Sequence, residues 1–148
     1  MTPHKHFPIK IKRAYDPPAR GDGYRVLVDR LWPRGVRKED LALAAWTKSL
    51  APSHALRRWF AHDPRRWREF VARYRRELRA PGAGEALRDL ARRATASVVT
   101  LVYAARDETH NDAVVVRSAL ASRVRSRPKR TTRRTVIRSP RPSDSRRS

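Results

Sequence analysis

The sequence predicts an α/β fold, a small and mainly parallel sheet of three or four strands covered by helices. Residues 24–29 and 98–104 contain runs of consecutive apolar residues, which are typical of strands that a parallel sheet buries on both faces. Segments with the 3.6-residue periodicity of helices lie between these two runs. Buried strands that alternate with helices in this way indicate an α/β domain.

A change in composition near residue 123 divides the chain. The formal net charge is +22, and the last 26 residues contain 11 Lys and Arg against a single acidic residue. Such a segment cannot bury enough apolar surface to offset the entropy of ordering it. We therefore predict an α/β domain over residues 9–122 and a disordered basic tail, rich in Arg, Ser and Pro, over residues 123–148.

The first half of the predicted domain contains two strands and a short helix. Residues 9–15 alternate apolar and basic side chains, the period of a half-buried strand, until a Pro-Pro pair ends them. Residues 24–29 form the second strand. A helical stretch then opens at Lys38 and continues with Ala45 and Trp46 on its apolar side.

Capping residues mark the helices that follow. Ser53 is a good N-cap, and Asp63 with Pro64 marks the clearest helix start, because Pro fits the first helical position. The apolar stripe of this helix comprises Trp67, Phe70, Val71, Tyr74 and Leu78. The segment Pro-Gly-Ala-Gly at residues 81–84 is predicted to end it, and residues 85–94 form another helix.

The end of the domain is predicted to be a strand, a polar loop and a helix. Residues 98–104 form the third strand, and residues 106–110 are polar. Asn111 or Asp112 can cap a last helix. The β-branched run at residues 114–116 would also suit a strand, but the Asn-Asp cap favours a helix.

The composition narrows the classes of function. The chain has no cysteine, which excludes disulfides, thiolate zinc sites and Cys nucleophiles. It has no apolar run long enough to span a membrane and no signal peptide, so a cytoplasmic protein without a membrane partner is predicted. The positive charge favours polyanions such as nucleic acid or phosphorylated small molecules. The five His lack metal-site spacing, so neither a metal nor a cofactor is predicted.

Two loops are predicted to form a site beyond the carboxyl ends of the strands, where open α/β sheets bind their ligands. The first covers residues 29–35, and the second covers residues 104–111 and leads into a helix N-terminus, which attracts anions. Asp29 and His110 are the candidates for proton transfer. The residues predicted to bind a phosphate or nucleotide-like anion, or to wall the cleft, are Arg30, Trp32, Arg34, Asn111, Tyr15 and Tyr103.

Other interpretations of the same residues stay open. Asp29 could pair with Arg30 or Arg13, Trp32 could pack in the core, and His110 could cap the last helix. The chain could instead bind nucleic acid without sequence preference, through its tail and the arginine face of residues 63–80. It could also be an interaction or scaffold domain, with no concave surface where the two loops meet.

Four blocks of sequence carry a family resemblance. They are GYRVLVDRLWPRG at residues 23–35, AWTKSLAPS at 45–53, LRRWFAHDPRRWREFVARYRREL at 56–78 and VTLVYAARDETHNDAVVV at 99–116. In this order they closely resemble the YeaO-like branch of the bacterial DUF-488 family. The resemblance implies a small cytoplasmic α/β domain and no particular activity.

The chain departs from the wider family at one position that bears on chemistry. Longer relatives in that family tend to place Cys-His-Arg after the third strand, where this chain has Thr109-His110-Asn111. Covalent chemistry through a thiol is therefore excluded, whereas non-covalent anion binding is not. The segment after Arg123 resembles an extension beyond the usual end of the family.

Overall fold

A single parallel sheet organises the domain. The computed structural model describes residues 8–125, so residues 1–7 and most of the predicted tail, residues 126–148, lie outside its described part. Within that part, four strands form a sheet in the order β1-β4-β2-β3, and every neighbouring pair is parallel. The strands are Ile9–Arg13 (β1), Tyr24–Leu27 (β2), Ala45–Trp46 (β3) and Val99–Tyr103 (β4). The predicted α/β class is confirmed.

Five α-helices are present in residues 8–125. They are Lys38–Leu41 (α1), His54–Phe60 (α2), Trp67–Glu77 (α3), Pro81–Arg93 (α4) and Asp112–Arg125 (α5). Ser53 caps α2 as predicted, because its hydroxyl accepts a hydrogen bond from the Leu56 N–H at 3.1 Å. Asp63 caps a short 3-10 helix, Pro64–Arg66, which leads directly into α3. No helix in this part of the chain is long and apolar enough to cross a membrane.

The prediction of a helical stretch over residues 38–46 is wrong beyond its first turn. Ala42 adopts a left-handed conformation with φ of 48° and ends α1. Ala45–Trp46 then pairs with β2 as an edge strand, and the Thr47 N–H donates to the Leu27 carbonyl at 3.0 Å. Hydrogen bonds to the edge of β2 stabilise residues 45–46 as a strand more than the weak local helical pattern stabilises a helix.

Two further boundaries differ from the prediction. The segment at residues 81–84 opens α4 instead of ending the preceding helix, because Pro81 occupies the N-terminal position that suits proline. At the other end, α5 continues to Arg125, three residues into the predicted tail. Val124 is buried there against the main core, so the packed domain extends past residue 122.

The two faces of the sheet are covered unequally. On one face, side chains from β2 and β4 join the main core with residues of α2, α3, α4 and α5. On the other face lies a much smaller apolar cluster, which consists of Ala14, Leu27, Leu41 and Val102. Charged side chains cover the rest of that second face. Ion pairs therefore contribute more to the packing of the second face than to that of the first.

Those charged groups form a buried network around Asp22. Its carboxylate accepts hydrogen bonds from Arg25 Nη1 at 2.8 Å, from Lys12 Nζ at 3.1 Å and from the Ala19 N–H at 2.9 Å. The remaining nitrogens of Arg25, Nε and Nη2, donate to the Leu41 carbonyl at 3.1 and 2.7 Å. Both Asp22 and Arg25 are buried, and the network ties the start of β2 to β1 and α1.

Candidate functional site

A cavity of about 460 Å³ opens at the carboxyl ends of β2 and β4. Its walls come from the loops that follow these strands, from α2 and the turn after it, and from the starts of α3 and α5. The residues that line it are Tyr15, Asp29, Arg30, Leu31, Trp32, Arg34, Pro52, Arg57, Phe60, His62, Phe70, Ala104, Ala105, His110, Asn111 and Asp112. The two loops singled out by the sequence therefore share one concave surface.

Most of the predicted site residues line this cavity. The structure brings together Asp29, Arg30, Trp32, Arg34, Tyr15, His110 and Asn111. Tyr103, predicted as a wall, is instead 2% exposed within the main core and is not among the lining residues. Burial raises the pKa of its phenol.

Asp29 is held at the end of β2 by two neighbouring segments. Its carboxylate accepts a hydrogen bond from the Ala104 N–H at 2.9 Å, and its carbonyl accepts one from Trp46 Nε1 at 2.8 Å. The alternative pairing with Arg13 is not formed, because the Arg13 guanidinium donates to the carbonyls of Ala105 and Ala104 at 2.9 and 3.4 Å. Asp29 therefore keeps its carboxylate at the cavity wall.

A second carboxyl group, Asp112, meets Asp29 at this wall. Asp112 is the first residue of α5 and lines the same cavity. Burial, followed by the charge and hydrogen bond of Asp29, raises the pKa of Asp112 well above its usual range. The sequence indicated Asp112 only as a possible helix cap.

Three arginines line the same cavity as these two carboxyl groups. Arg30 Nη2 donates to the Pro52 carbonyl at 3.3 Å, but its Nε is buried and has no hydrogen-bond partner among the described residues. The side chains of Arg34 and Arg57 make no hydrogen bond or ion pair with any residue in 8–125. The cavity thus carries cationic donors that the protein itself leaves unused.

His110 stands on the opposite loop in a fixed orientation. Its Nδ1 lies 2.9 Å from Asp107 Oδ2, and its ring meets the Trp67 ring edge-on with centroids 5.1 Å apart. Hydrogen bonds from the Thr109 N–H and from His110 lower the pKa of Asp107 to about 2. An imidazole that donates from Nδ1 to this carboxylate keeps Nε2 available as an acceptor.

The amide of Asn111 is occupied by the helix start. Its Oδ1 accepts from the Val114 N–H at 3.1 Å, and its Nδ2 donates to the Asp107 carbonyl at 2.9 Å. Asn111 thus serves as the N-terminal cap of α5, although one surface of it lines the cavity. Its predicted role in anion binding stays a prediction.

Aromatic side chains form the apolar part of the wall. Trp32 is oriented by its Nε1, which donates to the Val36 carbonyl at 2.6 Å, and the Tyr15 hydroxyl donates to the Arg34 carbonyl at 3.0 Å. Phe60 and Phe70 stack with ring centroids 4.2 Å apart. These rings give the cavity a flat apolar surface in addition to its charged groups.

Three ionisable residues of the lining were missed as site residues at the level of sequence, namely Arg57, His62 and Asp112. His62 follows α2 in a left-handed conformation with φ of 56°, directly after Ala61 with φ of 47°. Two consecutive non-glycine residues with positive φ are uncommon, and such backbone clusters at functional sites. No local sequence signal marks Arg57 and His62, since they reach the cavity through the packing of α2.

Metal binding receives no support from the geometry. In the part of the chain described, no group of three or more His, Asp or Glu side chains is placed to hold a metal ion. What the arrangement can do is bind an anion with guanidinium donors, stack a flat group and exchange a proton with a carboxyl pair.

Comparison with known proteins places the chain in a family. A family model described as "Inactive DUF488-N3 subclade" matches residues 8–137. The chain belongs to the DUF488 family. Its match continues 14 residues past Arg123, where the sequence suggested an extension beyond the usual family end. No solved structure gives a significant match.

Curated relatives agree with this membership in DUF488. The uncharacterized protein YeaO of Escherichia coli strain K12 is 43% identical over 115 residues, which cover 77% of this chain and 97% of YeaO. Uncharacterized proteins of Mycobacterium tuberculosis H37Rv and Mycobacterium bovis are also 43% identical over 115 residues, covering 78% of this chain and 95% of each relative. The predicted YeaO-like resemblance is confirmed.

Proposed function

We propose that this DUF488 protein binds a small phosphorylated or nucleotide-like anion in the cavity at the end of its sheet. The observation that carries the proposal is the set of three arginines that line this cavity, because the side chains of Arg34 and Arg57 have no hydrogen-bond or ion-pair partner within residues 8–125. Guanidinium groups without a protein partner are free to donate to the oxygens of an anion. Arg30, which donates to the Pro52 carbonyl, is the third guanidinium at the same cavity.

The charge of the cavity supports an anionic ligand. Three guanidiniums line it, and they remain charged at all physiological pH values. The two carboxyl groups of the lining, Asp29 and Asp112, carry at most two negative charges. The sum of these charges is therefore positive, and arginine suits the bidentate recognition of phosphate oxygens.

Size and shape support a small ligand. A cavity of about 460 Å³ lies within the usual range for small-molecule sites, about 300 to 1,000 Å³. The stacked Phe60 and Phe70, with Trp32 nearby, offer an apolar wall for a ring. The family model describes an inactive subclade, which favours binding over catalysis. A cytoplasmic location stays a prediction.

Thermal denaturation with anions tests this proposal. We expect inorganic phosphate, pyrophosphate, nucleoside monophosphates or sugar phosphates to raise the Tm, since a ligand at 100 times its Kd stabilises by about 2.7 kcal/mol. Arg57→Ala should weaken the best ligand at least about tenfold, because a charge-assisted hydrogen bond contributes about 1.5 to 3 kcal/mol.

Arg58→Ala is the matched control for this experiment. Arg58 is the next residue of α2, is exposed and does not line the cavity, so its removal should leave the ligand-induced Tm shift unchanged. If no anion raises the Tm of wild type more than it raises the Tm of Arg57→Ala, the proposal is contradicted.

A second candidate function is nonspecific nucleic-acid binding, and α3 provides the observation that favours it. Arg68 and Arg76 on α3, with Arg79 just beyond it, are exposed and form no ion pair within the described residues. The predicted role of the basic tail concerns residues that lie almost entirely outside residues 8–125. Arginines that release counterions from phosphates make affinity steeply dependent on salt.

Deletion of residues 126–148 is expected to weaken binding to duplex DNA and to flatten its salt dependence. The deletion removes nine Lys and Arg, and each phosphate that the protein no longer neutralises changes the slope of log K against log salt by about 0.9. Fluorescence anisotropy with a labelled duplex at several salt concentrations measures both quantities. An unchanged affinity and slope would assign no role to the tail.

A further inference from the structure

We propose that the ligand of this cavity is a phosphate monoester of a polyol or sugar, whose hydroxyl groups bind to Asp29 and His110 while its phosphate binds to the arginines. This inference rests on the proposed anion site and specifies the chemical class of its ligand. It follows from the composition of the lining, in which hydrogen-bond acceptors accompany the guanidinium donors.

The carboxyl groups of the lining call for more than a bare anion. Two of them, Asp29 and Asp112, line the cavity together with its three arginines. An ionised carboxylate only accepts hydrogen bonds, and it repels a phosphate. An anion without hydrogen-bond donors would therefore use the arginines alone. A ligand that carries donors in addition to its phosphate would bind to both kinds of lining group.

Asp29 is held in place as an acceptor. Its Oδ2 accepts a hydrogen bond from the Ala104 N–H at 2.9 Å, and Ala104 itself lines the cavity. The main chain is fixed at the same point, because the Asp29 carbonyl accepts from Trp46 Nε1 at 2.8 Å. A carboxylate offers about four lone-pair positions, so the bond with Ala104 leaves capacity for the hydroxyl groups of a ligand.

His110 supplies a second acceptor to the lining. Its Nδ1 lies 2.9 Å from Asp107 Oδ2. Hydrogen bonds, the first of them from the Thr109 N–H, lower the pKa of Asp107 to about 2, so this carboxylate is ionised near neutral pH and can only accept. The proton of the neutral imidazole is therefore on Nδ1, which leaves Nε2 as an acceptor.

The charge of the surroundings favours hydroxyl groups over an ammonium group as the donors. The three arginines outnumber the two carboxyl groups of the lining, and the chain as a whole has a formal net charge of +22. A positive potential disfavours a second cation beside the phosphate. A hydroxyl group is neutral, and it can donate to a carboxylate while it accepts from a guanidinium.

Three phosphate monoesters with the same three-carbon chain test the proposal, namely glycerol phosphate, propyl phosphate and aminopropyl phosphate. Isothermal titration near neutral pH gives their affinities for the full-length protein. We expect glycerol phosphate to bind at least about tenfold more tightly than propyl phosphate, because one hydrogen bond to a charged group is enough for this preference. Aminopropyl phosphate should bind more weakly than glycerol phosphate.

Asp29→Asn removes the charged acceptor, although its amide oxygen can still accept from the Ala104 N–H. It should reduce the preference for glycerol phosphate over propyl phosphate by about fivefold or more. Glu108→Gln is the matched control. Glu108 is exposed in the loop after β4 and does not line the cavity, so the same chemical change there should leave the preference intact.

These titrations separate the inference from the proposed function. If neither inorganic phosphate nor any of the three esters binds, both the anion site and the ligand class are overturned. Equal binding of glycerol phosphate and propyl phosphate, tighter binding of aminopropyl phosphate, or a preference unchanged in Asp29→Asn would overturn the ligand class alone. If Asp29→Asn does not fold, His110→Phe removes the second acceptor and keeps a ring against Trp67, and an unchanged preference in this variant would overturn the ligand class.

Discussion

Asp22→Ala is expected to lower the free energy of unfolding by about 3 to 5 kcal/mol. Asp22 is 2% exposed and accepts hydrogen bonds from Lys12, Arg25 and the Ala19 N–H. Its removal leaves the buried Arg25 guanidinium with only the Leu41 carbonyl as a partner. An uncompensated buried cation is costly, and the loss is large against the roughly 5 to 15 kcal/mol that stabilise a typical domain.

Asp89→Ala provides the matched comparison for this loss. Asp89 also pairs with two basic residues, Arg92 and Arg93, at 3.1 and 3.0 Å, but these pairs are exposed on α4. Exposed ion pairs contribute about 0 to 1 kcal/mol. Urea unfolding followed by circular dichroism should separate the two variants clearly. Similar midpoints for Asp22→Ala and Asp89→Ala would contradict the importance of the buried network.

Gly23→Ala is expected to destabilise the domain by about 3 kcal/mol or more. Gly23 has φ of 62°, and a Cβ at this position would lie 2.2 Å from the carbonyl oxygen of Val98. That oxygen accepts a hydrogen bond from the Tyr24 N–H at 2.8 Å. The alanine methyl group would therefore force backbone atoms at the start of β2 and β4 apart, with no flexible side chain to yield.

Gly35→Ala is the matched control, because it measures the cost of a positive φ without a steric clash. Gly35 also has a positive φ, 79°, but a Cβ there would meet nothing within 4 Å. Only the intrinsic preference against left-handed conformations remains, about 1 to 2 kcal/mol. Thermal and urea denaturation of both variants should show the larger loss for Gly23→Ala, and the reverse order would contradict the close approach of Gly23 and Val98.

The sequence predicts those parts of the fold that local patterns determine. Consecutive apolar residues correctly indicated the strands β2 and β4, and the Ser53 cap correctly indicated α2. β3 was missed because a two-residue strand has no periodicity of its own and depends on the edge of β2. The buried Arg25 was also missed, because its partners come from separate segments of the chain.

The candidate site, like the fold, was predicted from the sequence only in part. The rule that ligands bind beyond the carboxyl ends of parallel strands located both loops of the cavity. Arg57 and His62 could not be found by that rule, because helix packing brings them to the cavity from a different layer. Asp112 looked like an ordinary helix cap, and burial together with the nearby charge of Asp29 changes its chemistry.

The many attachments of the loop after β2 have a kinetic consequence. Three hydrogen bonds hold this loop. Trp46 donates to the Asp29 carbonyl, Tyr15 donates to the Arg34 carbonyl, and the Trp32 indole donates to the Val36 carbonyl. Because these bonds already order the loop, the site needs no slow rearrangement before a ligand can bind. Under the proposed function, anions would associate rapidly, aided by the attraction of a strongly cationic protein. Differences in affinity among them would then appear mainly as differences in dissociation rate.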